Sequence, residues 1–315
     1  MPYIATNEKL QISQEASYGS GDAATIQLAG VSCSIEPKVE TEQVMDKRGD
    51  AMPAHVAITK NRWSELTVEG LLNYNHARYW LDAMFGLDAS SPHTYIADLD
   101  QSVAPQSMAV FYGQTGGLFK VPGVLPYTLE ISGASNEAVK FSAKCFGQPV
   151  TDGASFAALS DPSVVFVMGH HCSLWLDPIA SAAGTTELAD VGFTFKAVIN
   201  GNRKPVWHLG NQAPDTFRHG KWAGSMHLSI EATAGMLSYL GDVLDATVSP
   251  LGLAVRIRMT DATKTFDLDF AGQVIVAPKL NTYADDITTV DLDLLPVYSS
   301  QAAFLSCWKA SLTLP

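Results

Sequence analysis

The hydrophobic and polar positions along the chain repeat one short pattern twice. Residues 66–69 alternate apolar and polar side chains and are followed by an amphipathic stretch up to Gly86; residues 228–231 alternate likewise and precede a similar stretch up to Thr247. Alternation with a period of two predicts a half-buried strand, and apolar residues three and four apart predict a helix. Both predicted helices close on the same three residues, Leu81-Asp82-Ala83 and Leu244-Asp245-Ala246. We interpret the two units as an internal duplication.

The predicted helices have recognisable ends and buried faces. Asn73 or Asn75 is the N-cap of the first helix and Gly86 its stop, and Thr233 is the N-cap of the second. The apolar faces consist of Ala77, Trp80, Leu81, Met84 and Phe85 in the first helix, and of Leu237, Leu240, Val243 and Leu244 in the second. Asp82 and Asp245 are candidate cation ligands, but a carboxylate there more often faces solvent.

The same order of elements surrounds each copy. A strand (31–39 or 191–200) leads into a long polar connection (38–62 or 201–223), which ends at the repeated strand and helix. Residues 1–27 are predicted to form an arm or loop, and 151–161 a linker. Further strands are predicted at 95–99, 108–112, 118–124, 127–132, 138–146, 164–168, 173–177, 253–259, 265–270, 274–279 and 289–294.

Length and pattern together predict the fold class. A chain of 315 residues exceeds the size at which one core keeps growing, so two domains of roughly 150 residues are expected. We predict a mainly β (α+β) protein of two tandem β-sandwich or barrel domains, residues 1–155 and 156–315, each with one flanking helix and a long loop. The composition, 47% hydrophobic and 17% charged, fits a well-buried protein.

Charge and cysteine content narrow the class of protein. A formal charge of −12 disfavours a protein that grips nucleic acid, but not one that lets it pass. Neither a run of eighteen apolar residues nor a secretory signal is found, so no membrane segment and no export are expected. The four widely spaced cysteines, Cys33, Cys145, Cys172 and Cys307, are predicted to be buried free thiols of a chain made in a reducing cytoplasm.

The search for catalytic motifs finds none of the common hydrolase or nucleotide signatures. The cluster His170-His171-Cys172, with His208 and His219 as distant partners, is the sharpest candidate for zinc. Neighbouring strand residues point to opposite faces, so only His170 and Cys172 suit one metal, and a turn edge with a buried Cys is the favoured interpretation. We therefore predict that the protein is not an enzyme and has no catalytic, cofactor-binding or metal site.

Two pairs of carboxylates lie on single strand faces, Asp267 with Asp269 and Asp291 with Asp293. A calcium site or a glycosidase acid pair would use such pairs, but an exposed polar face is the simpler interpretation. With a turn at Ala262 and Thr263, two opposite-charge pairs form across the hairpin, Arg258 with Asp267 and Arg256 with Asp269. The tripeptide Arg48-Gly49-Asp50, known from integrin ligands, is interpreted as a chance feature of a charged loop.

The order of a strand, a long polar loop, a strand ending in Glu and a helix resembles the tail tube proteins of long-tailed bacteriophages. The segments that carry the resemblance are residues 40–49, 66–70 and 79–86, and then 177–186, 191–200 and 228–246. In that family each domain is a β-sandwich or barrel with a flanking helix. Sheets of neighbouring subunits join into an inner barrel, and the long loop reaches the adjacent ring. The same fold serves the tubes of type VI secretion.

The resemblance implies a structural virion protein without cofactors that polymerises as stacked rings. Rings in the family hold six equivalent domains, so a chain with two domains implies three chains per ring. The implied partners are further copies, the tape measure, the terminator and the baseplate, with DNA passing the lumen unbound and no membrane contact. The protein is then expected in the virion tail, after synthesis in the bacterial host cytoplasm, with both long loops making ring-to-ring contacts.

Two other classes of protein stay open. A two-domain carbohydrate-binding or glycan-cleaving β-sandwich would expose clustered aromatic residues near a carboxylate pair, whereas the six tryptophans are scattered along this sequence. Another tail component, such as a terminator or a baseplate hub, would have a similar pattern.

Overall fold

A computed structural model describes residues 8–44, 56–97, 104–114, 117–233, 252–275, 279–282, 288–298 and 307–314. Within them the chain forms one α-helix, α1 (Tyr74–Phe85), one 3₁₀ turn (Gly169–His171) and eighteen strands. The predicted mainly β fold class is confirmed. The strands are β1 (Lys9–Gln14), β2 (Ile26–Leu28), β3 (Val31–Val44), β4 (Val56–Leu71), β5 (His93–Ile96), β6 (Met108–Gln114), β7 (Gly117–Ala134), β8 (Lys140–Gly147), β9 (Cys172–Pro178), β10 (Phe193–Asn200), β11 (Lys204–Val206), β12 (Thr216–Arg218), β13 (Ala223–Glu231), β14 (Gly252–Asp261), β15 (Lys264–Val274), β16 (Lys279–Thr282), β17 (Thr288–Pro296) and β18 (Trp308–Thr313).

Helix α1 begins and ends where its sequence predicts. The Asn73 side chain accepts a hydrogen bond from the Asn75 backbone N–H at 2.9 Å, which satisfies one unpaired donor of the first turn. Gly86 closes the helix at φ 117°, a conformation that favours glycine, and its N–H donates to the Asp82 carbonyl. The five predicted apolar residues of its face are all buried.

An antiparallel sheet of eight strands, here called the long sheet, runs in the order β3-β4-β8-β7-β10-β13-β17-β16. Its first four strands, β3-β4-β8-β7, and its last four, β10-β13-β17-β16, have the same topology. In each block the first strand pairs with the second, the second pairs with a later strand of the chain, and that later strand pairs with the strand immediately before it in the chain. The two blocks join where β7 pairs with β10 over seven residue pairs, from Ala134↔Thr194 to Thr128↔Asn200. The strand pairing is continuous across this seam.

Two smaller groups of strands branch from the long sheet. One is β2-β1-β6-β7, which uses the first part of β7, and the other is β9-β14-β15-β18-β5. In the second group β5, from the first half of the chain, pairs with β18, near the last described residue. We call this pairing the clasp.

A single large cluster of buried apolar side chains fills the space between helix α1 and the sheets. It draws on both halves of the chain, with Val68 and Ile131 from the first and Leu228 and Trp308 from the second among its members. Along β10 the burial alternates strictly, so that one face packs into this cluster and the other does not. Each large apolar side chain buried there contributes roughly 1.5–3 kcal/mol.

Three predictions about loops and strands are wrong. Residues 1–27 are not merely an arm, because they contain β1 and the first two residues of β2, and Leu10 and Ile12 of β1 are buried. The described part of the connection 38–62 is not a loop either: β3 continues to Val44 and β4 begins at Val56, with a β-bulge between Glu40 and Thr41. Around 164–168 only isolated bridges at Phe166 and Met168 form. The second predicted helix lies almost wholly outside the described residues.

Candidate assembly surfaces

The long sheet ends in two strand edges that lack a partner within the described residues. β3 pairs only with β4, and β16 only with β17. The Leu71 N–H donates to the Gly30 carbonyl, so the backbone of Gly30 faces β4. Because backbone directions alternate along a strand, the N–H and C=O groups of the even-numbered residues of β3 also face β4, and those of the odd-numbered residues face outward. Pro37, which has no N–H, therefore lies on the outward register, where proline is tolerated in a sheet. Unpaired edges of this kind are templates for pairing with another chain.

One face of the long sheet, the polar face, points away from the apolar core. A row of side chains crosses five of its strands: Lys140, Ser132, Lys196, His227 and Asp293 face one another in register. The rows beside it are rich in Ser, Thr and Glu, among them Ser32, Thr67, Glu69, Thr128, Glu130, Ser142, Thr194 and Ser229. Along these rows the face is therefore mainly hydrophilic.

Several carboxylates of the polar face have partners on neighbouring strands. Glu130 pairs with Lys196 at 2.8 Å, and Asp293 accepts from a His227 ring nitrogen at 2.8 Å. Asp291 accepts from the Ser229 hydroxyl at 2.6 Å. Both Asp291 and Asp293 thus lie on a polar face, as their alternation predicts. The acidic excess of the chain is partly offset on this surface by interleaved lysines.

The connection between β10 and β13, residues 201–223, folds back onto the first half of its own chain. Its short strands β11 and β12 pair with each other, and the loop between them reaches β4 beyond the end of β8, where the Gln212 carbonyl accepts from the Arg62 N–H at 2.8 Å. The Trp63 and Trp207 rings meet edge to face with centroids 5.5 Å apart. Two of the tryptophans scattered in the sequence are thereby brought together, beside a groove of about 500 Å³ that Glu65 also lines.

Arg203 anchors this connection at the end of helix α1. Its guanidinium is almost fully buried and donates to the carbonyls of Ala83 and Pro126, each at 3.0 Å, and to that of Met84. The Trp222 ring lies 5.6 Å away. Burial lowers the pKa of Arg203 to about 10, while the negative end of the helix dipole favours its charge. The sequence gives no signal for this role, since one Arg in a Gly- and Pro-containing connection has no distinctive pattern.

Asp82 is a structural carboxylate rather than a solvent-facing one. It is fully buried and accepts hydrogen bonds from the Tyr95 hydroxyl and the Gln14 side-chain amide, each at 2.8 Å, with the Arg78 guanidinium 3.4 Å away. The prediction that it faces solvent is wrong because β1 and β5 cover this side of α1. Its oxygens bind protein donors, and its counterpart Asp245 lies outside the described residues.

The charge pairs predicted across the β14–β15 hairpin are confirmed. Arg256 binds Asp269 through two hydrogen bonds of 2.6 and 2.8 Å, and Arg258 binds Asp267 at 2.7 and 2.9 Å. The predicted exposure of this face is wrong: Asp267 and Asp269 are 8% and 2% exposed, because β18 continues the sheet beside them. Burial raises the pKa of Asp269, and the adjacent Arg256 opposes that shift.

The structure does not bring the five residues of the zinc candidate together in one site. His170 and His171 lie in the 3₁₀ turn with ring centroids 4.3 Å apart, and Cys172 follows at the start of β9, where burial raises its pKa to about 12. His208 instead binds Asp215 at 2.8 Å, and His219 lies against Phe217. Across the described ranges no three His, Cys, Asp or Glu side chains converge in a metal-binding arrangement.

The four cysteines are free, as predicted. Cys33, Cys145 and Cys307 are buried, and Cys172 is half-buried. Burial raises the pKa of Cys33 to about 12 and that of Cys145 further, so these thiols stay protonated and behave as small apolar residues.

Comparison with known proteins assigns this architecture to a family. The model of the phage tail tube protein family matches residues 6–296, nearly the whole chain, and the protein therefore belongs to that family of structural proteins of the virion tail. A search of the curated proteins found no match. No helix in the part of the chain that the structure describes is long and apolar enough to cross a membrane.

Proposed function

We propose that the protein polymerises as stacked rings into the phage tail tube, with three chains in each ring, and that DNA passes through the channel during ejection. The observation that carries this proposal is the order of the long sheet. Each half of the chain contributes one block of four strands, β3-β4-β8-β7 and β10-β13-β17-β16, and the two blocks are already joined side by side. Six such blocks, the number in a ring of the resembling family, need three chains.

In this proposal residues 1–155 and 156–315 are the two tube domains, derived from one ancestor by tandem duplication. The seam between β7 and β10 then has the same place in the ring as the boundaries between chains. Because the halves differ in sequence, the ring has true threefold and only approximate sixfold symmetry.

The polar face of the long sheet is the surface that suits the channel wall. It is hydrophilic, and Lys196 and Glu130 exemplify its short-range pairing of opposite charges. Local neutralisation leaves few isolated cations to hold phosphate groups, so DNA is expected to slide without specific binding.

The remaining functional expectations follow from this assembly. The partners are further copies of the chain and the tape measure, terminator and baseplate proteins of the same tail. The chain is synthesised in the host cytoplasm before it assembles. Neither catalysis nor a cofactor is required, because a tube acts through its shape and its inner surface.

Electron microscopy of the purified protein tests the proposal. We expect tubes, or rings at low concentration, whose averaged images have a threefold axis. Rings of six full-length chains or a strict sixfold axis would contradict the stoichiometry. Single rings that never elongate would favour a terminator, and a monomer that binds glycan resin through the groove at Trp63 and Trp207 would favour the carbohydrate-binding alternative.

A further inference from the structure

The seam inside the chain defines the register of the seam between chains. We propose that, in the assembled ring, the free edge of β16 of one copy pairs antiparallel with the free edge of β3 of the next, placing Asn281 opposite Lys38. This inference rests on the proposed function, because it presumes a closed ring. It goes further in naming the two edges, their order and the residues that meet.

The template is the pairing of β7 with β10. In that seam Leu129 lies opposite Ile199 and Glu130 opposite Val198. The Gly201 N–H donates to the Tyr127 carbonyl at 3.0 Å, so the odd-numbered groups of β10 face β7. Leu129↔Ile199 is accordingly a hydrogen-bonded pair, and Glu130↔Val198 is a non-hydrogen-bonded pair.

The pairings within each block transfer this register from one seam to the other. Leu66 and Leu228 occupy the same place in the repeated strand; Ile35 lies opposite the first and Phe195 opposite the second. Each β3 position therefore corresponds to the β10 position 160 residues later (35 to 195). Val39 then corresponds to Ile199, and Lys38 to Val198.

The other edge is transferred through β8 and β17. Val68 and Ile230 are equivalent, and they lie opposite Ala143 of β8 and Val290 of β17. Their partners on the next strand are Leu129 of β7 and Leu280 of β16. Each β16 position therefore corresponds to the β7 position 151 residues earlier (280 to 129), so that Asn281 corresponds to Glu130.

When the internal pairs Leu129↔Ile199 and Glu130↔Val198 are replaced by their equivalents, the register between copies places Leu280 opposite Val39 and Asn281 opposite Lys38. The backbone directions agree independently. On β3 the odd-numbered groups, including Val39, face outward. On β17 the Thr288 carbonyl faces β13, so the backbone groups of the next residue, Thr289, face β16 and its partner Asn281. The backbone groups of Leu280, the neighbour of Asn281 on β16, therefore face outward. Val39 and Leu280 thus meet in a hydrogen-bonded pair, as Ile199 and Leu129 do inside the chain. At the next such pair Pro37 lies opposite Thr282 and provides only its carbonyl, so the seam between copies has one hydrogen bond fewer there.

The two edges are different strands, so the contact is head to tail and uses two distinct surfaces of each copy. Such heterologous contacts produce a ring when the rotation closes. The rotation needed is the one that relates the two blocks of a single chain, repeated at every seam. The chain therefore contains, in its β7–β10 seam, a copy of its own intermolecular contact.

Disulfide crosslinking between copies tests the register. Non-hydrogen-bonded antiparallel pairs have Cα atoms about 4.5 Å apart, within the range that a disulfide spans. We would prepare Lys38→Cys and Asn281→Cys as separate variants in a Cys172→Ser background, mix and assemble them, and oxidise mildly. Ser34→Cys mixed with Asn281→Cys is the matched control, since Ser34 lies on the same face of β3 but about 13 Å further along. The double variant Glu130→Cys/Val198→Cys, across the internal seam, is the positive control.

We expect the Lys38/Asn281 mixture to give crosslinked dimers at a yield about tenfold above that of the Ser34 control, given the geometric limits of the bond. The internal control should crosslink without any change in apparent mass. Tubes that form normally without the Lys38/Asn281 crosslink, or with preferential crosslinking at Ser34, would overturn the register and leave the tube function standing. Failure of the unmodified protein to form rings or tubes would overturn both.

Discussion

The two long connections of the chain occupy the same place in the repeated strand order but have different structures. The connection from β3 to β4 continues both strands outward as a two-stranded ribbon, on which Val39 and Ile58 are exposed. The connection from β10 to β13 turns back, pairs its own short strands and buries Arg203 beside helix α1. One connection extends from the body of the protein, and the other is held against it.

Two connections at equivalent positions of the repeat can therefore have different structures and different contacts. Residues 41–43 of the first connection are exposed, whereas Arg203 of the second is buried. The buried cation in the second connection joins it to the first half of the same chain. The hydrogen bonds and aromatic contacts described for the second connection lie within its own chain, and the role of both connections between rings stays a prediction. We propose that the first connection is the main contact between stacked rings.

Shortening the β3–β4 ribbon should have the largest effect on assembly. In the variant, an Asn-Gly turn joins Glu40 directly to Asn61, which leaves the proposed β3 edge for ring closure in place. We expect rings that no longer stack, seen by electron microscopy and sedimentation. The free energy of unfolding should change by less than about 1 kcal/mol, because the deleted residues 41–43, 57, 58 and 60 are exposed and lie outside the core. Normal tubes from this variant would contradict the role of the ribbon.

Removing the Arg203 anchor should have the largest effect on stability. Arg203→Ala leaves the Ala83, Met84 and Pro126 carbonyls without their donor, and we expect a loss of about 3 kcal/mol in the free energy of unfolding, measured by denaturant titration. Arg203→Lys should recover less than half, since one ammonium cannot reproduce the planar array of donors. Arg218→Ala, an exposed residue of the same connection, is the control and should cost under about 0.5 kcal/mol. Equal effects of the two Ala variants would refute the anchor.

The contact of Trp63 with Trp207 measures how strongly the second connection supports the ribbon. A double-mutant cycle with Trp63→Leu and Trp207→Leu should give a coupling of about 1 kcal/mol, the range of edge-to-face aromatic pairs. Thermal or chemical unfolding of the four proteins provides the values. Strict additivity would mean that the two connections are energetically independent.

The smallest effect is expected at the tip of the second connection. Leu209 is fully exposed there, so Leu209→Ser should change the stability of the isolated chain by less than about 0.5 kcal/mol. The tube yield of this variant, compared with that of the unmodified protein, then shows whether the second connection contributes to ring stacking. If Leu209→Ser reduces elongation as strongly as loss of the ribbon does, the second connection also takes part in stacking.

The sequence predicted those features that depend on neighbouring residues. The caps Asn73 and Gly86, and the pairing of Arg256 with Asp269, follow from local spacing and turn chemistry, and the structure confirms them. Pairings between distant segments were not predictable in this way. β1 joins β6 about a hundred residues later, and its short apolar run resembles part of an irregular arm when read alone. Arg203 was missed because its partners are backbone carbonyls, which have no sequence signature.

The clasp between β5 and β18 has a consequence for synthesis. Residue Ile96 pairs with Lys309, which the ribosome adds 213 residues later, from 96 to 309. At bacterial rates of about 5–20 residues per second, the first half waits roughly 10–40 s with β5 unpaired. During the first part of that interval, until residue 200 has been added, β7 also lacks its neighbour β10, so the nascent chain exposes the kind of strand edge that invites premature pairing. Synthesis of β18 ends the interval, because it gives β5 its partner among the described strands.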